Sequence, residues 1–172
     1  MVPISKRALR GVSLMLIALP TFVFLFTWVK PVFSIPASLL LAAGCFCGLR
    51  RGRGKRQTAG QIEQETSYSF SVPTLLVIVG CALLWTFLAG QGGYFFQNED
   101  HYGRNAILHD LLNHAWPVRF EGTSHALTYY LNYWIVPAAL GKAAAALGQD
   151  SFAAANAVLF CQTTVFFTLL SF

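Results

Sequence analysis

Charge is scarce in this chain. Asp, Glu, Lys and Arg together make up 11% of its 172 residues, against 55% hydrophobic ones, and mean hydropathy is positive. A soluble domain of this size needs polar side chains to cover its surface, so the shortage argues against an ordinary soluble fold. Only seven residues are acidic, which leaves a net charge of +5. The basic residues gather at the ends of apolar blocks and form no continuous face, so a nucleic-acid partner is not expected. The four cysteines, Cys45, Cys47, Cys81 and Cys161, all lie inside apolar blocks. That placement excludes a disulfide framework, and Cys45-Phe46-Cys47 lacks the second ligand pair of a zinc site. Leu41-Ala42-Ala43-Gly44-Cys45 has the outline of a lipoprotein cleavage site, but the apolar stretch before it is too long. Small residues on a helix-packing face are the better reading. Neither an H-E-x-x-H motif nor an internal repeat of useful length is present.

What the chain does have is apolar blocks of membrane-crossing length. The first, about 11–29, follows Lys6, Arg7 and Arg10 as a secretory signal would, yet it leads straight into a second block over 32–49 without a polar mature region. An uncleaved span, with Pro20 inside it and Trp28 at its interface, fits better. Five positive charges then fall in seven residues, Arg50-Arg51-Gly52-Arg53-Gly54-Lys55-Arg56. Under the positive-inside rule they place the segment 50–70 in the cytoplasm. A third span over 71–89 exits, the loop 90–125 lies outside, a fourth span over 126–147 returns with Lys142 snorkelling to the cytoplasmic surface, and a fifth covers 152–172. Nine of the twelve basic residues (Lys6, Arg7, Arg10, Arg50, Arg51, Arg53, Lys55, Arg56, Lys142) are then cytoplasmic. The expectation is an all-α fold: a polytopic transmembrane helical bundle of about five spans, plus a juxtamembrane amphipathic helix in the outer loop. It divides into an N-terminal hairpin (1–49), a basic cytoplasmic loop (50–70) and a C-terminal part (71–172). Its location is a bacterial-type cytoplasmic membrane, multi-pass, with the N-terminus inside. The apolar ending at Phe172 is expected of the N-terminal part of a longer membrane protein, or of a truncated one.

Polar chemistry is concentrated in the outer loop. Glu99, Asp100, Asp110 and Glu121 lie there with all four histidines, His101, His109, His114 and His125. Asn98 or Asp100 can cap a helix running to about Ala115 and stopped by Pro117. At 100° per residue with Asp100 at 0°, Arg104 falls at about 40°, Ile107 at about 340°, Leu111 at about 20° and Leu108 at about 80°. Asp100 and Arg104 therefore head the stripe that faces the membrane or the bundle. They form either a helix-end ion pair or a carboxylate poised as base or metal ligand, beside Glu99. His109 and His114 are five apart and do not share a face, so they read as solvated polar residues. Trp116, Tyr129, Tyr130, Tyr133 and Trp134 read first as an interfacial belt, and such aromatics can also hold a sugar ring or lipid chain.

The run Gln97-Asn98-Glu99-Asp100-His101-Tyr102-Gly103-Arg104-Asn105, an outer acidic pair opening a juxtamembrane helix, resembles the GT-C membrane glycosyltransferases. Tyr129-Tyr130-Leu131-Asn132-Tyr133-Trp134-Ile135-Val136-Pro137, leading to Gly141-Lys142, is similar to membrane proteins of that kind. The resemblance covers about residues 72–172. It departs from the family in having two spans before the motif, and an adjacent Glu99-Asp100 in place of D-x-D. It implies an enzyme that uses a lipid-phosphate-linked sugar, with Asp100 or Glu99 as base and Arg104 on phosphate. His101, His109, Tyr130 and Trp134 would assist substrate binding, and any divalent metal (Mg or Mn) would sit on Glu99 and Asp100. Membrane lipid and a lipid-linked sugar donor are the implied partners. A transporter or flippase fragment is the alternative, although such proteins place ionisable groups near the bilayer centre. A non-catalytic membrane protein is the third reading.

Overall fold

The computed structural model describes residues 1–50 and 67–172, so Arg51 to Arg56 of the basic run lie outside the described residues. The fold is mostly helical, as expected. It divides into two compact units, 1–77 and 78–172.

The first unit is built on a helical hairpin. Helix α1 (Lys6–Trp28) begins where the Ser5 hydroxyl accepts the N–H groups of Arg7 and Ala8, an N-cap that satisfies two otherwise orphaned donors. Lys30 turns the chain, its carbonyl accepting from Phe33 and Ser34, and α2 (Pro31–Arg50) runs back. The two helices approach through small residues: Gly48 stands against Leu14, and Gly11 against Leu49. That use of glycine suits helices that associate where no hydrophobic effect drives them together. Their outer faces are aliphatic and uncovered, with Val32 78% and Leu40 75% exposed. The sequence pattern points to no strands, yet β1 (Val2–Ser5) pairs antiparallel with β2 (Ser67–Phe70), Val2 opposite Phe70 and Ser5 opposite Ser67. Lys6 lies over the Tyr68 ring at 4.6 Å. The pair sets the start of α1 near the start of α3 (Val72–Leu88).

In the second unit, α3 ends at a 3₁₀ turn over Gln91–Gly93, followed by α4 (Glu99–Asn113), α5 (Leu131–Ala146) and α6 (Ser151–Leu170). Gly148 adopts a left-handed φ of 77° just past α5, and the N–H groups of Gly148 and Gln149 close its last turn on Ala145 and Ala144. Asp150 then caps α6 through the N–H groups of Phe152 and Ala153. The core is the apolar stripe of α4, Leu108, Leu111 and Leu112, set against Trp134, Ile135 and Ala138 of α5 and Ala155 and Leu159 of α6. The stripe expected of α4 is therefore the bundle-facing one.

Among the described residues three helices, α1, α2 and α6, are long and apolar enough to cross a membrane, where five spans were expected. Helix α3 is apolar but has 17 residues, and residues 126–130 of the expected fourth span are not helical. Helix α5 holds 16 residues, about 24 Å at 1.5 Å each, against a hydrocarbon core of about 30 Å. It lies beside α4, and the two run the same way. Their N-terminal ends share a cleft, and their C-terminal ends meet where Gly141 faces Leu112 and Lys142 Nζ donates to the His114 carbonyl at 2.8 Å. Lys142 therefore does not reach for a distant surface; it neutralises the C-terminal end of α4, where a cation opposes the helix dipole. Its ammonium also stands 5.6 Å from the centre of the Trp116 ring.

Gly141 is the contact that allows this packing. A β-carbon there would come within 2.6 Å of the Ser151 carbonyl, 2.7 Å of Leu112 Cδ2 and 3.0 Å of Ala155 Cβ. Gly141→Ala should therefore destabilise the bundle by about 1–3 kcal/mol, as other overpacking changes do. Gly80→Ala in α3, where nothing lies within 4 Å, should add about 0.5–1 kcal/mol through helix propensity. Thermal unfolding in detergent separates the two.

Candidate functional site

A cleft of about 570 Å³ opens between the first turns of α4 and the start of α5. Helix α4 contributes Glu99, Asp100, Gly103, Arg104 and Ile107; the other wall is Tyr129, Tyr130, Tyr133 and Trp134. Five of the seven residues singled out from sequence thus come together: Glu99, Asp100, Arg104, Tyr130 and Trp134. Asp100 and Arg104 are exposed at the mouth, and neither forms an ion pair among the described residues, so the helix-end salt bridge is not made. The carboxylates and the guanidinium are left facing the same space. Both acids sit in the first turn of α4, the end of a helix where acidic side chains are commonly placed.

The two histidines lie elsewhere. His101 Nε2 donates to the Ala89 carbonyl at 3.1 Å, and Nδ1 pairs with the Asn98 side chain at 2.6 Å. With Nε2–H committed, the neutral ring can only accept at Nδ1, so the Asn98 amide must turn its NH₂ toward it; an imidazolium would donate at both nitrogens. His101 is thus a latch between α4 and the end of α3. Gln97 reinforces it, donating to the Gly90 carbonyl and accepting from Asn105. His109 and His114 flank Asp110 at 3.9 and 4.0 Å on the exposed side of α4, contacts too solvated to contribute much.

The aromatic wall is held unevenly. Tyr129 and Tyr130 are exposed and meet edge to face at 4.3 Å. Tyr130 has a φ of 54°, a left-handed conformation that costs a non-glycine residue on the order of 1 kcal/mol or more. Tyr133, one turn on, is fixed from both ends. Its hydroxyl pairs with the Thr163 hydroxyl of α6 and reaches Gln91 Oε1 at 3.4 Å. Its carbonyl would ordinarily accept from the residue four positions on, but that is Pro137, which has no N–H. Gln162 Nε2 donates to the orphaned oxygen instead, at 3.1 Å. Trp134 is buried beside it, the two rings perpendicular at 5.0 Å.

No protein-family model, curated protein or solved structure matches the chain. What the site can do rests on its own groups: two carboxylates able to take a proton, one fork of cationic donors, and a wall of aromatic rings. Among the described residues there is no cluster of three or more His, Cys, Asp or Glu. Glu99 and Asp100 are carboxylates on the cleft wall, oxygen donors of the kind a Mg²⁺-type ion takes alongside waters and substrate phosphate. The sequence assigned Tyr129 and Tyr133 to a membrane belt, put Ile107 on the same stripe as Asp100 without a site role, and gave Gly103 no role of its own. The i,i+4 spacing of the two tyrosines, and the place of Gly103 one turn from Asp100, were the available signals.

The Pro137–Gln162 arrangement has a measurable consequence. Gln162→Leu should destabilise the protein by about 1–3 kcal/mol by leaving the Tyr133 carbonyl unpaired. In a Pro137→Ala background, where the substituted residue supplies its own N–H, the same change should cost markedly less. A double-mutant cycle on thermal stability reads the difference.

Proposed function

We propose that the chain is the N-terminal part of a membrane glycosyltransferase that moves a sugar from a lipid-phosphate donor at the outer face of the cytoplasmic membrane. The observation that carries this reading is the cleft in which Asp100, Glu99 and Arg104 face the aromatic wall. Sugar transfer needs a base for the acceptor hydroxyl, positive charge for the departing phosphate and an apolar face for the ring. Asp100 takes the proton as the acceptor oxygen bonds to the anomeric carbon. The anomeric carbon–oxygen bond to the lipid phosphate breaks, and the phosphate leaves against the two-pronged Arg104 guanidinium. Tyr130 and Trp134 line the ring's path. Glu99 and Asp100 would hold a divalent ion, which supplies charge neutralisation on the phosphate when bound.

The membrane setting is supported by the uncovered apolar faces of α1 and α2 and by the strand pair that joins the starts of α1 and α3. Two crossings in the hairpin bring the chain back to the side it left, so the N-terminus and the basic segment share the cytoplasmic side and α4 lies outside. A transporter would be expected to carry ionisable groups near the middle of its spans, and α1, α2 and α6 carry none beyond their ends.

In the full-length protein, Asp100→Asn should lower sugar transfer from a polyprenyl-phosphate-linked donor by about 10²–10⁴-fold. Arg104→Lys keeps the charge, loses the fork, and should weaken donor binding. A β-carbon at Gly103 meets nothing within 4 Å, so Gly103→Leu should leave stability intact while its side chain projects into the cleft and suppresses turnover. Radiolabel transfer to acceptor measures all three, and full activity in Asp100→Asn overturns the assignment.

A further inference from the structure

The arrangement of α4, α5 and the segment between them bears on where the membrane lies. Helix α4 carries ionisable or strongly polar side chains along its whole length, from Glu99 and Arg104 to Asp110 and His114, and these are not covered by protein. Such a helix does not lie in hydrocarbon. Helix α5 runs alongside it in the same direction, from the shared cleft at one end to the Gly141–Leu112 and Lys142–His114 contacts at the other. Two neighbouring helices that run the same way require the chain to travel back between them. Residues 114–130 do so as irregular backbone with one two-residue bridge, Arg119 to Ala126, and with Arg119, Glu121 and His125 exposed. Exposed irregular backbone is not found in the hydrocarbon region. Helix α5 thus packs against polar α4 on one side and against α6 at Gly141 and Tyr133 on another, and the exposed loop spans the distance between its two ends.

The level of the membrane is marked by the end of α3. Ala89 is bonded to His101 in the first turns of α4, and Gln91 is bonded to Tyr133 near the start of α5. Helices α4 and α5 both begin where the apolar α3 stops, and both lead on from there. Helix α6 returns antiparallel to α5. It runs beside the turn that ends α3 from Asn156, whose carbonyl faces Gly92, to Thr163, and reaches the side of α3 at Phe167, whose ring meets Trp85 at 6.4 Å.

We infer that α5 does not cross the membrane, and that α4 and α5 together form a cap standing on the outer bilayer surface, with the cleft opening at the headgroup level. The surface that meets the lipid is the aromatic rim at the foot of the cap: Phe96 and Tyr102, 78% and 71% exposed, with Tyr129 and Tyr130 at the mouth of the cleft. Aromatic side chains exposed at this level match the interfacial layer of a bilayer, apolar on one side and wet on the other. Residues 131–146 are therefore extramembrane, and the chain next enters the membrane with the second half of α6. This inference rests on the membrane reading above and is independent of the sugar chemistry.

Site-directed labelling decides it. In the full-length protein, in native membranes and with Cys45, Cys47, Cys81 and Cys161 each changed to Ser, single cysteines are placed by Ser67→Cys, Asn113→Cys and Gln149→Cys. A membrane-impermeant maleimide is applied to sealed vesicles of each orientation. The expected result is that Asn113→Cys and Gln149→Cys react from the same side, although the whole of α5 separates them, and that Ser67→Cys reacts from the other. Reaction of Gln149→Cys from the side opposite to Asn113→Cys overturns the inference, as does a Gln149→Cys that resists the reagent from both sides while Asn113→Cys reacts. As a second measurement, Leu140→Glu, at a half-exposed site on α5, should leave the amount of protein in the membrane unchanged. A severalfold loss of inserted protein also overturns the inference. Loss or retention of sugar transfer in Asp100→Asn moves none of these readouts.

Discussion

The close approach of α4 and α6 to Gly141 of α5 is the constraint on which the second unit depends. Helices normally pack with their axes about 8–10 Å apart, a distance set by the side chains between them. At Gly141 that spacer is missing, so the Ser151 carbonyl, a Leu112 methyl and the Ala155 methyl all converge on one backbone position. This contact pins the far ends of α4 and α5. The near ends, one helix length away, are consequently held at a separation that leaves a cleft open between Asp100 and Trp134. A helix pair joined at one end and parted at the other is a simple way to make a pocket from sequence segments about thirty residues apart.

The cleft combines rigid and strained parts. Tyr133 is tied to α6 through both its hydroxyl and its carbonyl, and the second tie exists only because Pro137 removes the usual donor. A proline that would weaken an isolated helix thus recruits Gln162 from the neighbouring one. Tyr130, four residues beyond Ala126 in the returning loop, is held in a conformation that aromatic residues seldom adopt. Strain of this kind persists where surrounding structure enforces it, and the buried Leu131 immediately after it is such an anchor.

Much of this was legible in the sequence because membrane-length apolar blocks are a coarse, redundant signal. Helices α1, α2, α3 and α6 fall within a few residues of their expected bounds, and α4 starts after Asn98, one of the two residues expected to cap it, although the Asn98 side chain pairs with His101 and makes no cap bond. The stripe from Ile107 to Leu111 was visible on a helical wheel. The course of α5 was not, because composition cannot distinguish an apolar helix in lipid from one covered by protein. Within Leu131–Ala146, Leu131, Trp134, Ile135, Ala138 and Gly141 face protein, while Leu140 is half exposed. The direction of its packing follows from Gly141 and Lys142, whose partners Leu112 and His114 lie about thirty residues earlier. His101 shows the opposite failure. Its position beside Asp100 in sequence suggested shared chemistry, but consecutive residues on a helix point about 100° apart, and it turns toward Ala89.

The short strand pair has a consequence for the order in which the chain acquires its structure. Val2–Ser5 pairs with Ser67–Phe70, so on synthesis Val2–Ser5 has no partner until about sixty-five more residues have followed. During that interval the α1–α2 hairpin can form from its own sequence alone, through the Gly11 and Gly48 contacts. Only afterwards can the head of the chain be fastened to the segment leading into α3. The clasp therefore closes a loop that already contains the helical hairpin, and part of the chain entropy such a long-range pairing would otherwise cost has been spent beforehand.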